Sequence, residues 1–258
     1  MHKEKAMIKI GMIGCGNIAS MLDSCLDGVE VLAVYDRHIE RSREVARKLG
    51  AVAAESFEAF MRHPFDLVVE AASVGAVVHY ALPLLEKGCD LVVLSSGAIA
   101  DAHLHALLTE AAQTHGATLH IPSGAIFGLD NAAIGRIGGL ERVRMTTYKP
   151  PRALHVETET LRCLFRGSAF ECIRHFPKNA NAAVSLALAA GVDTEVELWA
   201  DPGRTTIRHE IFMEGAFGSV TITIDNRPSG ANPSTSYLAV LSVCALMRSL
   251  RAPIRIGS

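Results

Sequence analysis

The chain has 258 residues, about half of them apolar, which suits one large or two modest domains and supplies a sizeable core. Its formal charge of −2 offers no basic footprint for nucleic acid or a membrane surface. No apolar run reaches the roughly 18 residues of a membrane span, and Met1-His2-Lys3-Glu4-Lys5 has no hydrophobic region behind it, so the expectation is a soluble cytoplasmic protein.

The first predicted element is the run Ile8-Lys9-Ile10-Gly11-Met12-Ile13, which flows into Gly14-Cys15-Gly16-Asn17-Ile18-Ala19. A β-type run followed by Gly-x-Gly-x-x-Ala is the pattern of a dinucleotide-binding βαβ unit. Gly14 allows the tight strand-to-helix turn, Gly16 lets backbone approach a pyrophosphate, and Ala19 keeps the helix near the sheet. Free N–H groups at Asn17 and Ile18 then face the phosphates. A second strand, Leu32-Ala33-Val34-Tyr35, ends at Asp36, twenty residues past Gly16. A carboxylate there accepts both hydroxyls of an adenosine ribose and repels a 2′-phosphate, which favours NAD. Arg37 and His38 follow and offset part of that repulsion, so NADP is tolerated. The plainer alternative is an ordinary tight turn with a strand-terminal Asp.

Strands and helices keep alternating up to residue 121. Helical spacing covers 37–49 and stops at Gly50. A short strand follows at 52–54, a helical turn from Ser56, and a doubly apolar strand at 65–71. A helix over 77–87 is closed by Gly88. Then come a strand at 90–96, a helix at 102–115 and a strand at 118–121. Repeated βα units of this length imply a doubly wound parallel sheet. Ala71-Ala72-Ser73 and Ser95-Ser96-Gly97-Ala98 then lie at its ligand-binding edge.

The texture changes after Pro122. A Gly-rich stretch, Ser123-Gly124-Ala125-Ile126-Phe127-Gly128-Leu129-Asp130, leads into a helical run. Alternating segments at 143–149, 195–200, 206–213 and 218–224 predict an antiparallel sheet with one wet face, and 180–190 an apolar helix to cover the other. The expected fold is therefore α/β: an N-terminal Rossmann domain over 1–121 and an α+β open-sheet substrate and dimerisation domain over 122–231. A last helix, within 232–258 and centred on 234–250, is expected to pack back on the first domain. The apolar sheet of the second domain suggests a homodimer.

Six cysteines (15, 25, 89, 163, 172 and 244) form no C-x-x-C pair and read as reduced thiols, mostly core filler. No His, Cys, Asp and Glu cluster has metal-ligand spacing, so no metal is expected. A nucleophile elbow and a Walker A loop are also missing from the sequence. Arg174-His175 reads as part of a solvent-facing strand.

The motifs outside the glycine loop carry the specificity. Ser95-Ser96-Gly97-Ala98, Pro122-Ser123-Gly124-Ala125, Thr147-Tyr148-Lys149-Pro150-Pro151, Phe176-Pro177-Lys178-Asn179-Ala180-Asn181 and Ala200-Asp201-Pro202 with His209-Glu210-Ile211 run through nearly the whole chain. With Gly14-Cys15-Gly16-Asn17-Ile18 they resemble the L-aspartate dehydrogenase family, which oxidises aspartate to iminoaspartate with NAD(P). The resemblance implies that His209 is the catalytic residue and that Ala125 and Asn179 lie at the nicotinamide. Iminoaspartate can feed the quinolinate branch of NAD synthesis or hydrolyse to oxaloacetate and ammonia.

The residue types suit that chemistry. Amino-acid oxidation needs a deprotonated amine, and imine hydrolysis needs an activated water; an imidazole titrating near neutrality serves both. The alternative for His209 is a surface histidine in a β-hairpin. Asn179 and Asn181 can bind a carboxamide or a carboxylate, or simply cap the helix that follows. A four-carbon diacid needs two anion sites, for which Lys149 and Lys178 lead, ahead of Arg152 and Arg208. Two other readings compete. An imine reductase of the dihydrodipicolinate reductase type shares the architecture, but its paired-histidine motif is missing here. A non-catalytic NAD-binding sensor has no need of His209.

Overall fold

The computed structural model describes residues 7–22, 26–229 and 232–254. Residues 1–5 and Cys25, read above from sequence, lie outside them. The chain forms two compact units: residues up to Pro122 together with Val243–Pro253, and Ser123–Ser242.

In the first unit the chain runs β1 (Ile8–Ile13), α1 (Asn17–Met21), β2 (Val29–Tyr35), α2 (Ile39–Leu49), β3 (Val52–Ala53), α3 (Phe57–Phe60) and β4 (Leu67–Glu70). It continues with α4 (Val74–Glu86), β5 (Asp90–Val93), a 3-10 turn (Ser96–Ala100), α5 (Ala102–His115) and β6 (Leu119–His120). The six strands form one parallel sheet in the order β3-β2-β1-β4-β5-β6. Ile10, Met12, Val68, Val69, Val92 and Val93 are buried in its middle strands, because helices cover both faces of a doubly wound sheet. The order reverses direction between β1 and β4, and a crevice opens there at the strand ends.

Local capping explains where the elements start. Ser56, Ser73 and Asp101 each accept the N–H of the residue three positions on, so α4 starts at Val74, three residues before its predicted beginning. Helix α2 starts two residues late because Asp36 accepts the His38 N–H and holds His38 extended. Gly50, at φ 67°, ends it in the left-handed conformation. Ser95 and Ser96, predicted as strand, leave β5 to follow a buried carboxylate. Glu70 accepts the N–H groups of Ala72, Ser73 and Ser95 and the Ser95 hydroxyl at 2.8–3.0 Å, which pins two neighbouring strand ends together.

The second unit contains α6 (Leu129–Ile137), β7 (Leu140–Lys149), α7 (Pro151–Leu154), β8 (Arg162–Ser168), α8 (Ala169–His175) and α9 (Asn181–Ala190). Then follow β9 (Glu195–Ala200), β10 (Ile207–Gly215), β11 (Gly218–Asn226), β12 (Pro228–Ser229), β13 (Asn232–Ser236) and α10 (Tyr237–Arg251). From Val243 onward α10 belongs to the first unit.

Its main sheet has the order β11-β10-β7-β9-β8 and is mixed rather than antiparallel, because β7 and β9 run parallel. The chain between them makes α7, β8, α8 and α9, a crossover long enough to bring β9 back in the same direction. Strand β8 was missed because it is a half-exposed edge without clean alternation. Arg174 and His175 close α8 instead of lying on a strand; Ser168 and Glu171 form a capping box that starts this helix.

The face packed against α6 and α9 carries Val143 and Met145 of β7, Val196 and Leu198 of β9, and Ile207, Ile211 and Met213 of β10. The opposite face is charged, with Arg142 paired to Glu195, Arg166 to Glu197 and Arg208 to Glu210. The apolar sheet expected as a dimer surface is therefore polar where it is uncovered.

Among the six cysteines, Cys15, Cys89, Cys163 and Cys172 are free. Cys244, expected as a thiol, is disulfide-bonded. No helix among the described residues is long and apolar enough to cross a membrane.

Candidate active site

The first unit holds a cleft of about 330 Å³ at the crevice between β1 and β4. Gly14, Gly16, Asp36, Arg37 and Arg41 line one part of it, and Ala71–Ala72–Ser73, His79 and Tyr80 the other. Gly14 sits at φ 94°, and a Cβ there would meet Ala71 and Ala72 backbone at 2.7 Å, so no other residue fits the turn. At Gly16 a Cβ would meet nothing within 4 Å, which leaves open space over the loop where a pyrophosphate would lie. Asn17 and Ile18 form the first turn of α1 and do not line the cleft.

Asp36 braces this loop. Its Oδ2 accepts the Cys15 N–H at 2.9 Å, and its Oδ1 accepts the His38 N–H at 2.9 Å. A carboxylate has about four acceptor positions, so both oxygens can still receive a ribose hydroxyl. Arg37 and Arg41 stand on the same wall. Sequence reading noted Arg37; Arg41 was missed, although it lies one helical turn further along. The chain thus has the turn, the space and the acceptor that a bound dinucleotide requires.

In the second unit, three polar residues interrupt the helix-covered face of the sheet. Thr147 and Lys149 follow Val143 and Met145 along β7, and His209 stands between Ile207 and Ile211 on β10. Their exposures are 4%, 6% and 3%. His209 is therefore no surface hairpin residue. It lies directly across the antiparallel ladder from Thr147, and Thr147 Oγ1 is 2.9 Å from His209 Nδ1.

Lys149 Nζ donates to Asn179 Oδ1 at 2.8 Å. Asn179 lies in the turn before α9, whose N-cap is Ala180 with no side-chain capping bond. Neither asparagine is the cap. Asn181 is the first residue of α9 and half-buried, while Lys178 is exposed in the turn. Arg208 is occupied on the outer face by Glu210 at 2.8 Å and Asp225 at 3.5 Å. Ala125 is held from below, because the buried Asn226 amide donates to its carbonyl at 2.7 Å and accepts from Ser236. Ser242 accepts the Gly124 N–H at 3.0 Å, so the Ser-Gly-Ala turn is tied at two points.

Burial controls the electrostatics. Desolvation pulls the His209 imidazole from 6.5 down to about 3, and the Lys149 charge adds to the effect. The imidazole of the free protein is thus neutral, not poised near neutrality as the sequence reading assumed. Burial lowers Lys149 from 10.5 to about 8, with nearby Cys172 a small opposing influence. The result is a buried ammonium bonded to a neutral amide and close to an uncharged imidazole. Such a pair can bind an anion and move a proton.

Two family models match the chain. Residues 130–250 match the family model described as "Aspartate dehydrogenase, C-terminal". Residues 10–122 match "Homoserine dehydrogenase, NAD binding domain". The L-aspartate dehydrogenase of Methanospirillum hungatei is 45% identical over 252 residues, covering 98% of this chain and 100% of that protein. That of Methanothermobacter thermautotrophicus is 39% identical, covering 98% and 99%. The crystal structure of aspartate dehydrogenase from Thermotoga maritima superposes with a TM-score of 0.83 at 29% identity, covering 97% of this chain and 99% of that one. By its length, its two units and these relatives, the chain belongs to the L-aspartate dehydrogenase family.

Proposed function

We propose that the chain oxidises L-aspartate to iminoaspartate with NAD(P), the imine then passing to oxaloacetate and ammonia. Family membership makes it an NAD(P)-dependent oxidoreductase acting on a CH–NH2 group. One observation carries the substrate reading. Thr147, Lys149 and His209 are buried on a face that packing alone would fill with apolar side chains, and Lys149 has no anionic partner among the described residues. An anionic substrate supplies one.

When bound, the dinucleotide provides the hydride acceptor. Gly14 and Gly16 would hold its pyrophosphate and Asp36 its adenosine ribose, with Ala125 and Asn179 at the nicotinamide, as the family resemblance implies. Lys149 takes one substrate carboxylate, and Lys178 and Asn181 are further donors at the turn into α9. His209 takes a proton from the substrate ammonium, so that the nitrogen lone pair can assist departure of hydride from Cα. After releasing that proton, it takes another from the water that adds to the imine carbon. Two substrate carboxylates beside the imidazole offset the burial that keeps it neutral in the free protein.

The same steps in reverse make aspartate from oxaloacetate and ammonium. Running forward, the imine can supply NAD synthesis. A homodimer accords with the exposed apolar residues of the second unit, Ile134, Phe217 and Ile137, the last 90% exposed.

The test mixes purified protein with oxaloacetate, ammonium and either NADH or NADPH. Ammonium-dependent loss of reduced-nicotinamide absorbance with aspartate as product is expected. Oxidation without ammonium points instead to a hydroxyacid dehydrogenase. No oxidation while NADH still binds points to another imine substrate or to a sensor.

A further inference from the structure

We infer that Thr147 is the positioning residue of the site: its hydroxyl anchors His209 through Nδ1 and leaves Nε2 as the one ring atom that exchanges protons with substrate. The inference rests on the reading of His209 given above and goes beyond it by assigning the residue that orients the ring.

Three observations support it. Thr147 and His209 are directly paired residues of adjacent antiparallel strands, so two backbones fix the distance between their Cβ atoms. The Oγ1–Nδ1 separation is 2.9 Å, and both side chains are buried. Among the described residues neither side chain makes another hydrogen bond, so the pair is closed on itself and Nε2 is left over.

The hydroxyl matters chemically because it is both donor and acceptor. Toward the neutral ring with the proton on Nε2, Thr147 donates to Nδ1. Toward the ring with a free Nε2 lone pair, and toward the imidazolium, it accepts from Nδ1–H. One rotation of the hydroxyl therefore satisfies Nδ1 in every protonation state, and no charge is added to a site that already holds Lys149. A carboxylate in this place would bind the imidazolium more firmly and hold the proton on the ring.

The test compares Thr147→Val, Thr147→Ser and His209→Ala in the full chain. Valine keeps the shape and removes the hydrogen bond; serine keeps the hydroxyl. Thr147→Val is expected to lower kcat by about 10²-fold, as loss of alignment at a reacting group does, with NADH affinity unchanged. Thr147→Ser is expected to restore most of kcat. Long-range ¹H–¹⁵N correlation of His209 should show an Nδ1 shift displaced by the hydrogen bond in the wild-type protein and in Thr147→Ser, and the displacement lost in Thr147→Val. Full kcat in Thr147→Val, while His209→Ala is inactive, would overturn the assignment and leave His209 as the base. Retained activity in His209→Ala would instead overturn the reading of the site. If Thr147→Val does not fold, the wild-type spectrum decides, since an Nδ1 shift without hydrogen-bond displacement there contradicts an anchored ring.

Discussion

Lys149 Nζ donates to Asn179 Oδ1 at 2.8 Å, and no carboxylate among the described residues balances its charge. A buried ammonium satisfied only by an amide is costly unless a ligand completes the pairing. Replacing it with an uncharged chain of similar length separates binding from folding. Lys149→Met should raise KM for aspartate by about 10–100-fold, the scale of a lost hydrogen bond to a charged group, and leave NADH affinity and Tm unchanged or Tm slightly higher. Steady-state kinetics with thermal melts checks this.

The same group sets a pH dependence. Its pKa falls from 10.5 to about 8, so the ammonium is present below pH 8 and lost above it. KM for aspartate should therefore rise from pH 7 to pH 9. Arg stays charged throughout that range, so Lys149→Arg should flatten the rise wherever the variant still turns over.

Stability in acid follows His209. Its pKa is about 3 in the folded protein and 6.5 as the ordinary value, so between those values the unfolded chain binds a proton that the native state refuses. Stability then falls as pH drops from about 6.5 toward 3. His209→Gln removes that titration, and its urea midpoint should fall less between pH 6.5 and 4.5 than the wild-type midpoint does.

Cofactor choice turns on Asp36 and the two arginines beside it. Removing the carboxylate in Asp36→Ser should shift the ratio of kcat/KM values for NAD over NADP toward NADP by at least about 10-fold, equivalent to about 1.4 kcal/mol. Overall affinity should weaken as well, since Asp36 also braces the Cys15 and His38 N–H groups. Arg41→Ala on top of Asp36→Ser should undo the gain for NADP.

Below the Ser-Gly-Ala turn, Asn226 joins the Ala125 carbonyl to the Ser236 hydroxyl. Asn226→Ala leaves a part-buried carbonyl without its donor, which costs about 1 kcal/mol. Lower Tm and a higher KM for NADH are expected from melts and kinetics.

Much of this was legible in the chain. Gly14, Gly16 and Asp36 were readable because a strand, a turn needing positive φ and a second strand follow at fixed spacing. The inward place of Lys149 was also readable, since alternation from Val143 through Met145 and Thr147 leads to it. Pairing of Thr147 with His209 was not, because strand register comes from tertiary contacts between segments 62 residues apart. Strand β8 lacked clean alternation, and the parallel run of β7 and β9 depended on where β8 was inserted. The neutral state of His209 required its burial, which residue type cannot give. The charged outer face of the sheet is half visible in the same alternation, through Arg142 and Arg144.

The most direct measurement is turnover and NADH binding of His209→Ala, assayed beside the wild-type protein with oxaloacetate and ammonium. The result expected is a fall in turnover of about 10²–10⁴-fold, the range for loss of a general acid–base group, with NADH affinity unchanged. Turnover at the wild-type rate would contradict the account, since the buried imidazole would then have no part in the proton transfers.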